Sequence, residues 1–226
     1  DKYDIKVIPT RWGNTPQNQL NPQTELGQKI IQNVVTQVTK QPDVYIQVTV
    51  ANEFRPIGKY NIGITAGVET TIAPKSFVDG CNRMDLIIVP SKFTKNTLLQ
   101  TSYDEKDKRT GQLIAQHKIS KPIEVLHEGV ELEKWQLPKK VDKFLEDLET
   151  DFNYLVVGHW LQGDIGQDRK DIGMTIKTFC TVFKDIPKKD QPGLILKTST
   201  AGFSVMDREN ISKKIRDITK EFGDKC

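Results

Sequence analysis

The chain has 226 residues, and 33 Lys and Arg residues against 30 Asp and Glu residues give it a net charge of +3. This balance is too mild to indicate a nucleic-acid partner or a membrane surface by itself. No apolar run approaches the roughly 20 residues that cross a bilayer, and the polar start of the chain is not typical of a signal peptide.

The first forty residues predict a strand, a loop and a helix. The strand covers residues 5–8, and a loop rich in Asn, Gln and Pro follows it. Arg11 and Trp12 stand directly after the strand, where ligands bind in open α/β sheets. A Trp packed under its own loop would have the same pattern. The apolar period of residues 24–38 predicts a helix with Thr24 as its N-cap.

The next ninety residues repeat an order of strand, polar loop and helix. The predicted elements are strands at 44–50, 61–66, 85–89 and 123–126 and helices at 76–84 and 92–100. The near-continuous apolar run at 85–89 is typical of a parallel strand covered on both faces. Ser91 is the expected cap of the helix behind it. The highly charged residues 101–110 are interpreted as an exposed insertion.

The series starts again after a charged stretch, with strands at 154–157 and 193–197 and helices at 170–184 and 207–221. Alternating strands and helices predict an α/β fold with parallel sheets. We therefore expect two Rossmann-like domains with a cleft between them. Residues 1–130 form the first domain, 131–151 the linker and 152–226 the second. The motifs GxGxxG, GxxxxGK[ST] and GxSxG are absent from the sequence, which disfavours dehydrogenases, P-loop NTPases and α/β-hydrolases.

The stretch 152–170 has the pattern of an anion site. An apolar strand reaches Gly158, a polar loop follows, and Arg169 and Lys170 stand at the predicted first turn of a helix. Helix N-termini carry unpaired N–H groups and a partial positive charge, so basic side chains beside one suit a diphosphate. An ordinary turn with solvated charges would have the same pattern, and the loop alone leaves both interpretations open.

Four runs follow one another along the chain: VETT at 68–71, DLIIVPS at 85–91, VLHEGVE at 125–131 and LILK at 194–197. Together with the 152–170 stretch, their order and spacing resemble the retaining "group one" family of glycosyltransferases, which has the GT-B fold of two Rossmann-like domains. The runs IPTRWG and NIGITAGVETT give the resemblance the flavour of phage-encoded members.

The resemblance implies transfer of a sugar from a UDP-, GDP- or ADP-sugar, with the donor on the second domain and the acceptor on the first. Family members usually need no metal, because basic side chains and a helix N-terminus neutralise the leaving diphosphate. The implied donor-binding residues are Gly158, His159, Arg169, Lys170, Lys197 and Thr198. The implied acceptor-side residues are Arg11, Trp12 and Thr70, with Glu69 as the catalytic residue.

The sequence departs from the family after Lys197, since it has no E-G-F-G-x-x-x-x-E segment to hold the donor sugar. We therefore expect an interior fragment with both Rossmann-like domains incomplete. A non-catalytic nucleotide-binding or interaction module of the same fold is the alternative. Nucleotide-sugar epimerases of similar fold would require further catalytic carboxylates and His residues, for which the sequence offers no candidates.

The acceptor stays open between a glycan, a lipid, a protein and a modified DNA base. Three cysteines, odd in number and far apart, indicate neither a disulfide framework nor a zinc site. A reducing, cytoplasmic setting is the expectation that follows.

Overall fold

The computed structural model describes residues 3–10, 20–136, 140, 143–161, 165–200 and 204–225. The chain divides into two compact units, Asp1–Leu132 (unit 1) and Glu133–Cys226 (unit 2). Each unit has its own hydrophobic core. Across the described residues, no helix is both long and apolar enough to cross a membrane.

Unit 1 is built on a parallel sheet. Its elements are α1 Glu25–Gln32, β1 Val44–Val48, β2 Tyr60–Ile64, α2 Lys75–Cys81, β3 Leu86–Val89, α3 Lys92–Gln100, β4 Ser102–Lys106, β5 Leu113–Lys118 and β6 Ile123–Val125. The sheet order is β1-β2-β3-β6, and every pairing in it is parallel. The α/β class is thereby confirmed, whereas the Rossmann-like topology stays a prediction.

One face of this sheet carries the core of unit 1. Phe54, Met84 and Leu98 are fully buried there, and Ile87 and Val89 reach them from β3. Helix α2 packs closely against the short 3₁₀ turn Ala51–Glu53. A Cβ at Gly80 would stand only 1.9 Å from the Ala51 carbonyl oxygen. A glycine is therefore required at this contact.

The charged stretch at 101–110 is not a plain insertion. Strands β4 and β5 pair as an antiparallel hairpin across it. The Tyr103 hydroxyl donates to the Ala73 carbonyl oxygen at 2.6 Å, and the Thr101 hydroxyl accepts from the Ala73 N–H at 3.0 Å. These bonds attach the hairpin to the loop before α2. Its charged residues are mostly exposed, as expected. Because β4 is rich in charged residues, the hydrophobic pattern did not indicate a strand there.

The N-terminal elements are shorter than their patterns predicted. Residues 5–8 contribute one isolated bridge, between Val7 and Val34, instead of a strand. Helix α1 stops at Gln32, because the backbone that follows bonds elsewhere: the Val35 N–H donates to the Val7 carbonyl oxygen at 2.9 Å. The Thr24 cap is confirmed, since its hydroxyl accepts from the Gly27 N–H at 3.1 Å.

Unit 2 has two parallel strands and helices on one side of them. Its elements are α4 Lys143–Glu146, β7 Asn153–His159, α5 Ile172–Phe183, β8 Gly193–Ser199 and α6 Val205–Thr219. The strands pair in register from Asn153 opposite Gly193 to His159 opposite Ser199. The core between strands and helices contains Val156, Trp160, Ile172, Ile176, Leu194, Leu196 and Ile211.

The cysteines differ in state. Cys81 is free and buried in unit 1, and burial raises the pKa of its thiol to about 12. Cys180, on α5, is disulfide-bonded. The cysteine spacing did not predict this bond, since three distant cysteines indicated no disulfide framework.

Candidate functional site

The carboxyl ends of β7 and β8 form one edge of the unit 2 sheet. His159 and Ser199 are register partners at this edge, and His159 Nδ1 lies 3.0 Å from the Ser199 hydroxyl oxygen. Helices α5 and α6 both begin after these strand ends. The described residues that directly follow each strand therefore lie at the edge where α/β sheets bind ligands.

Gly158 and Lys170 meet at the end of β7. A Cβ at Gly158 would stand 3.3 Å from Lys170 Cγ. The aliphatic part of Lys170 therefore packs against Gly158, and a larger residue at position 158 would crowd the Lys170 side chain. The Lys170 ammonium has no ion pair or hydrogen bond within the described part of the chain. The end of β7 therefore presents a cation that is available to an anionic ligand.

The N-terminus of α5 is less available to an anionic ligand than the sequence predicted. Asp171 caps it from a left-handed backbone conformation, with φ of 45°. Its Oδ1 accepts from the Gly166 N–H at 2.9 Å and from the Met174 N–H at 3.4 Å. Because a carboxylate already occupies this helix end, the positive charge for an anion has to come from side chains.

The predicted donor-binding residues divide between the two faces of the sheet. Successive strand side chains alternate, and Leu196 packs on the helices, so Gly158 and Thr198 belong to the helix-covered face. His159 and Lys197 belong to the opposite face. The Lys197 ammonium has no partner among the described residues, whereas the exposed Arg169 has one. The geometry therefore favours Lys170 and Lys197 over Arg169 as free cations.

A cavity of about 370 Å³ lies between β8 and α6, beside this edge. Its polar lining includes Thr198 and Ser199 from the strand and Arg208 and Ser212 from the helix. Thr198 Oγ1 is buried and has no hydrogen-bond partner in the described structure. The helix residues were not predicted, although their spacing of four positions could have shown that they share one side of α6.

Asp168 is a second residue that the sequence did not single out. It is only 8% exposed, and its Oδ1 accepts from the Leu161 N–H at 3.3 Å. Its Oδ2 is buried without a partner in the described residues, whereas buried polar atoms are normally hydrogen-bonded. Its polar surroundings in the sequence carry no signal of this burial.

The predicted acceptor-side residues belong to unit 1 where they can be placed. Glu69 and Thr70 are exposed and follow β2. They come after a turn at Gly67, whose φ is +86°. The Thr70 hydroxyl donates to the Ile72 carbonyl oxygen at 2.8 Å, a local bond that orders the loop. Arg11 and Trp12 lie outside the described residues.

Neither a metal site nor a second concavity among the described residues is a better candidate for an anion site than this edge. No group of three or more His, Cys, Asp or Glu side chains there could hold a metal ion. A concavity of about 420 Å³ beside the C-terminal half of α5 is lined by Lys177 and Lys225. These lysines already pair with Glu221 at 3.0 Å and Asp185 at 3.6 Å, and a helix C-terminus disfavours anions.

Comparison of the chain with family models, with curated proteins and with solved structures gives no match. The glycosyltransferase resemblance therefore rests on the sequence motifs alone.

Proposed function

We propose that this chain is a glycosyltransferase, hexosyltransferase-like, and that unit 2 binds the diphosphate of its nucleotide-sugar donor at the carboxyl edge of β7 and β8. The observation that carries the proposal is the meeting of Gly158 with Lys170. A glycine permits close approach of a ligand to the backbone. Lys170 packs its Cβ and Cγ beside Gly158 and has no ion pair or hydrogen bond among the described residues.

The chemistry of sugar transfer explains why a cation belongs at this position. Transfer breaks the bond between the sugar C1 and the diphosphate oxygen, while an acceptor oxygen forms a bond to C1. Negative charge then develops on the departing diphosphate, and a cation already in place stabilises that transition state. We assign this role to Lys170 and Lys197, with His159 and Ser199 as hydrogen-bonding groups. Glu69 is the proposed catalytic residue on the acceptor side.

Turnover of nucleotide sugars tests this proposal. We expect the protein to release a nucleoside diphosphate slowly from UDP-, GDP- or ADP-glucose, with water as the acceptor, in an assay followed by ³¹P NMR. Lys170→Ala should lower kcat/KM by about 100-fold, because a group that stabilises the transition state is lost.

Lys189→Ala is the matched control. Lys189 belongs to the 3₁₀ turn Lys188–Asp190 that precedes β8, so it lies at the opposite end of the strand and should leave turnover unchanged. Binding of a nucleotide sugar without release of the diphosphate would instead support the non-catalytic module. Neither binding nor release with any of the three donors would refute both functions.

A further inference from the structure

The cavity between β8 and α6 has an apolar floor and a polar rim. The alternation of β8 directs Leu196 and Thr198 toward α6, and α6 supplies Ile211 and Ile215 one turn apart. Arg208 and Ser212 lie one turn apart on the same helix and line the same cavity. A ligand in this cavity would therefore contact a hydrocarbon surface with hydroxyl groups around it.

The polar groups of the rim are not all used by the fold. The Thr198 hydroxyl is buried without a partner, and neither the Arg208 guanidinium nor the Ser212 hydroxyl bonds to another side chain in the described part of the chain. The one carboxylate of the lining, Asp207, already accepts from the Thr200 N–H at 2.8 Å. The cavity therefore offers hydroxyls and one cation, while its acid is engaged.

The position of the cavity connects it to the proposed diphosphate site. Ser199 lines the cavity and also contacts His159 at the carboxyl edge of the sheet. A ligand that fills the cavity can therefore continue past Ser199 to the carboxyl edge of the sheet. The volume of about 370 Å³ is at the low end of the ~300–1,000 Å³ that small-molecule sites occupy, which suits one part of a nucleotide sugar and not the whole.

We propose that this cavity binds the nucleoside of the donor nucleotide. The base packs on the apolar floor, Thr198 and Ser212 hydrogen-bond the polar atoms of the base or ribose, and Arg208 pairs with the adjoining phosphate. This inference rests on the proposed function and adds to it the part of unit 2 that selects the nucleotide.

Calorimetric titration of the whole chain with separate parts of the ligand tests the inference. The probes are uridine, guanosine, adenosine, their 5′-diphosphates and inorganic pyrophosphate. We expect Ser212→Leu, which fills the cavity, to abolish binding of the preferred nucleoside. Thr198→Val should weaken it about tenfold, because one hydrogen bond to a buried group is lost. Both variants should bind pyrophosphate as the unmodified chain does.

Two controls keep the outcomes separate. Asn210→Leu adds the same side chain at an exposed position of α6 outside the cavity lining and should change nothing. Thr198→Val preserves the side-chain shape and decides the question if circular dichroism shows that Ser212→Leu is unfolded.

The inference is overturned, and the proposed function kept, if a nucleoside diphosphate binds but neither cavity variant weakens it. Failure of every nucleoside and diphosphate to bind overturns the inference and the proposed function together.

Discussion

The carboxylate of Asp85 joins the start of β3 to β2. Its Oδ2 accepts from the Asn61 backbone N–H at 2.8 Å and from the Asn61 side-chain amide at 3.1 Å. The backbone hydrogen bond, followed by the side-chain bond, lowers the pKa of Asp85 below its ordinary value of 3.8. Both bonds favour the ionised form, so the contact between these strands depends on pH.

Asp85→Asn tests this dependence. A carboxyl whose pKa is lowered by folding stabilises the protein above its unfolded pKa, and that stability is lost as the pH falls through the folded pKa. We therefore expect the variant to unfold at lower urea concentration than the unmodified chain at pH 7, and the difference to shrink at pH 3. Asp151→Asn, at an exposed position, is the control. Equal differences at both pH values would contradict the assignment.

The sequence predicted the position of some site residues but not their contacts. Arg169 and Lys170 were predicted at the first turn of a helix, but α5 begins only at Ile172, so both residues precede the helix. The side chain of Lys170 lies beside Gly158. The partner that occupies Arg169 and the burial of Asp168 depend on contacts that no local pattern encodes. Sequence therefore indicated which charges are near the edge, but not which of them are free.

Helix α5 links the strand end to the core of unit 2. Its apolar residues Ile172 and Ile176 are buried, and its first turn is held by the Asp171 cap. Asp171 also bonds the Gly166 N–H, so one carboxylate orders both the helix start and the loop before it. Lys170 is the residue directly before this cap.

Substitution of Asp171 tests the cap. Asp171→Ala should lower the free energy of unfolding by about 1 kcal/mol, the usual effect of losing an N-cap side chain. Asp171→Gly should be less destabilising, because glycine adopts the left-handed conformation without a Cβ penalty. Urea denaturation measures both, with Asp190→Ala, exposed in the same unit, as control. Equal stability of the Ala and Gly variants would show that the backbone conformation carries no cost.

Elements with strong local signals were predicted well. Ser91 accepts from the Thr94 N–H at 3.1 Å and begins α3, which covers Lys92–Gln100 as the pattern predicted. The hairpin of β4 and β5 was missed, because its strands are rich in charge and are held by cross-strand pairing and by Tyr103. Pairing between distant residues is not visible in hydrophobic periodicity.

At the scale of the whole molecule, each unit covers one sheet face with helices and leaves apolar side chains on the other. Val44, Ile46 and Val48 are exposed on β1, and Leu155 and Val157 are exposed on β7. Parallel sheets are ordinarily covered on both faces. The near-continuous apolar run of β3 predicted such coverage. On the second face the side chains of β3 are half-buried, whereas those of β1 and β7 are exposed.

The proposed function depends on the edge of the unit 2 sheet, where two strands end and the helices that follow them begin. Strand order and the resemblance predicted that edge. They did not predict that the proposed donor-binding residues divide between two faces, because the predicted strands ended at 157 and 197. In the structure β7 and β8 continue to His159 and Ser199, so the alternation of side chains extends through these residues. The cavity beside Thr198 likewise arises from the packing of α6 on β8.

The affinity of the protein for UDP, GDP and ADP, measured by calorimetry at low and high salt, tests the central claim most directly. We predict that at least one of them binds, that 0.5 M NaCl weakens binding through charge screening, and that Lys170→Ala weakens it about tenfold or more. Lys189→Ala should bind as the unmodified chain does. Absence of binding by all three, or equal affinity of Lys170→Ala and the unmodified chain, would contradict a diphosphate site at the carboxyl edge of β7 and β8.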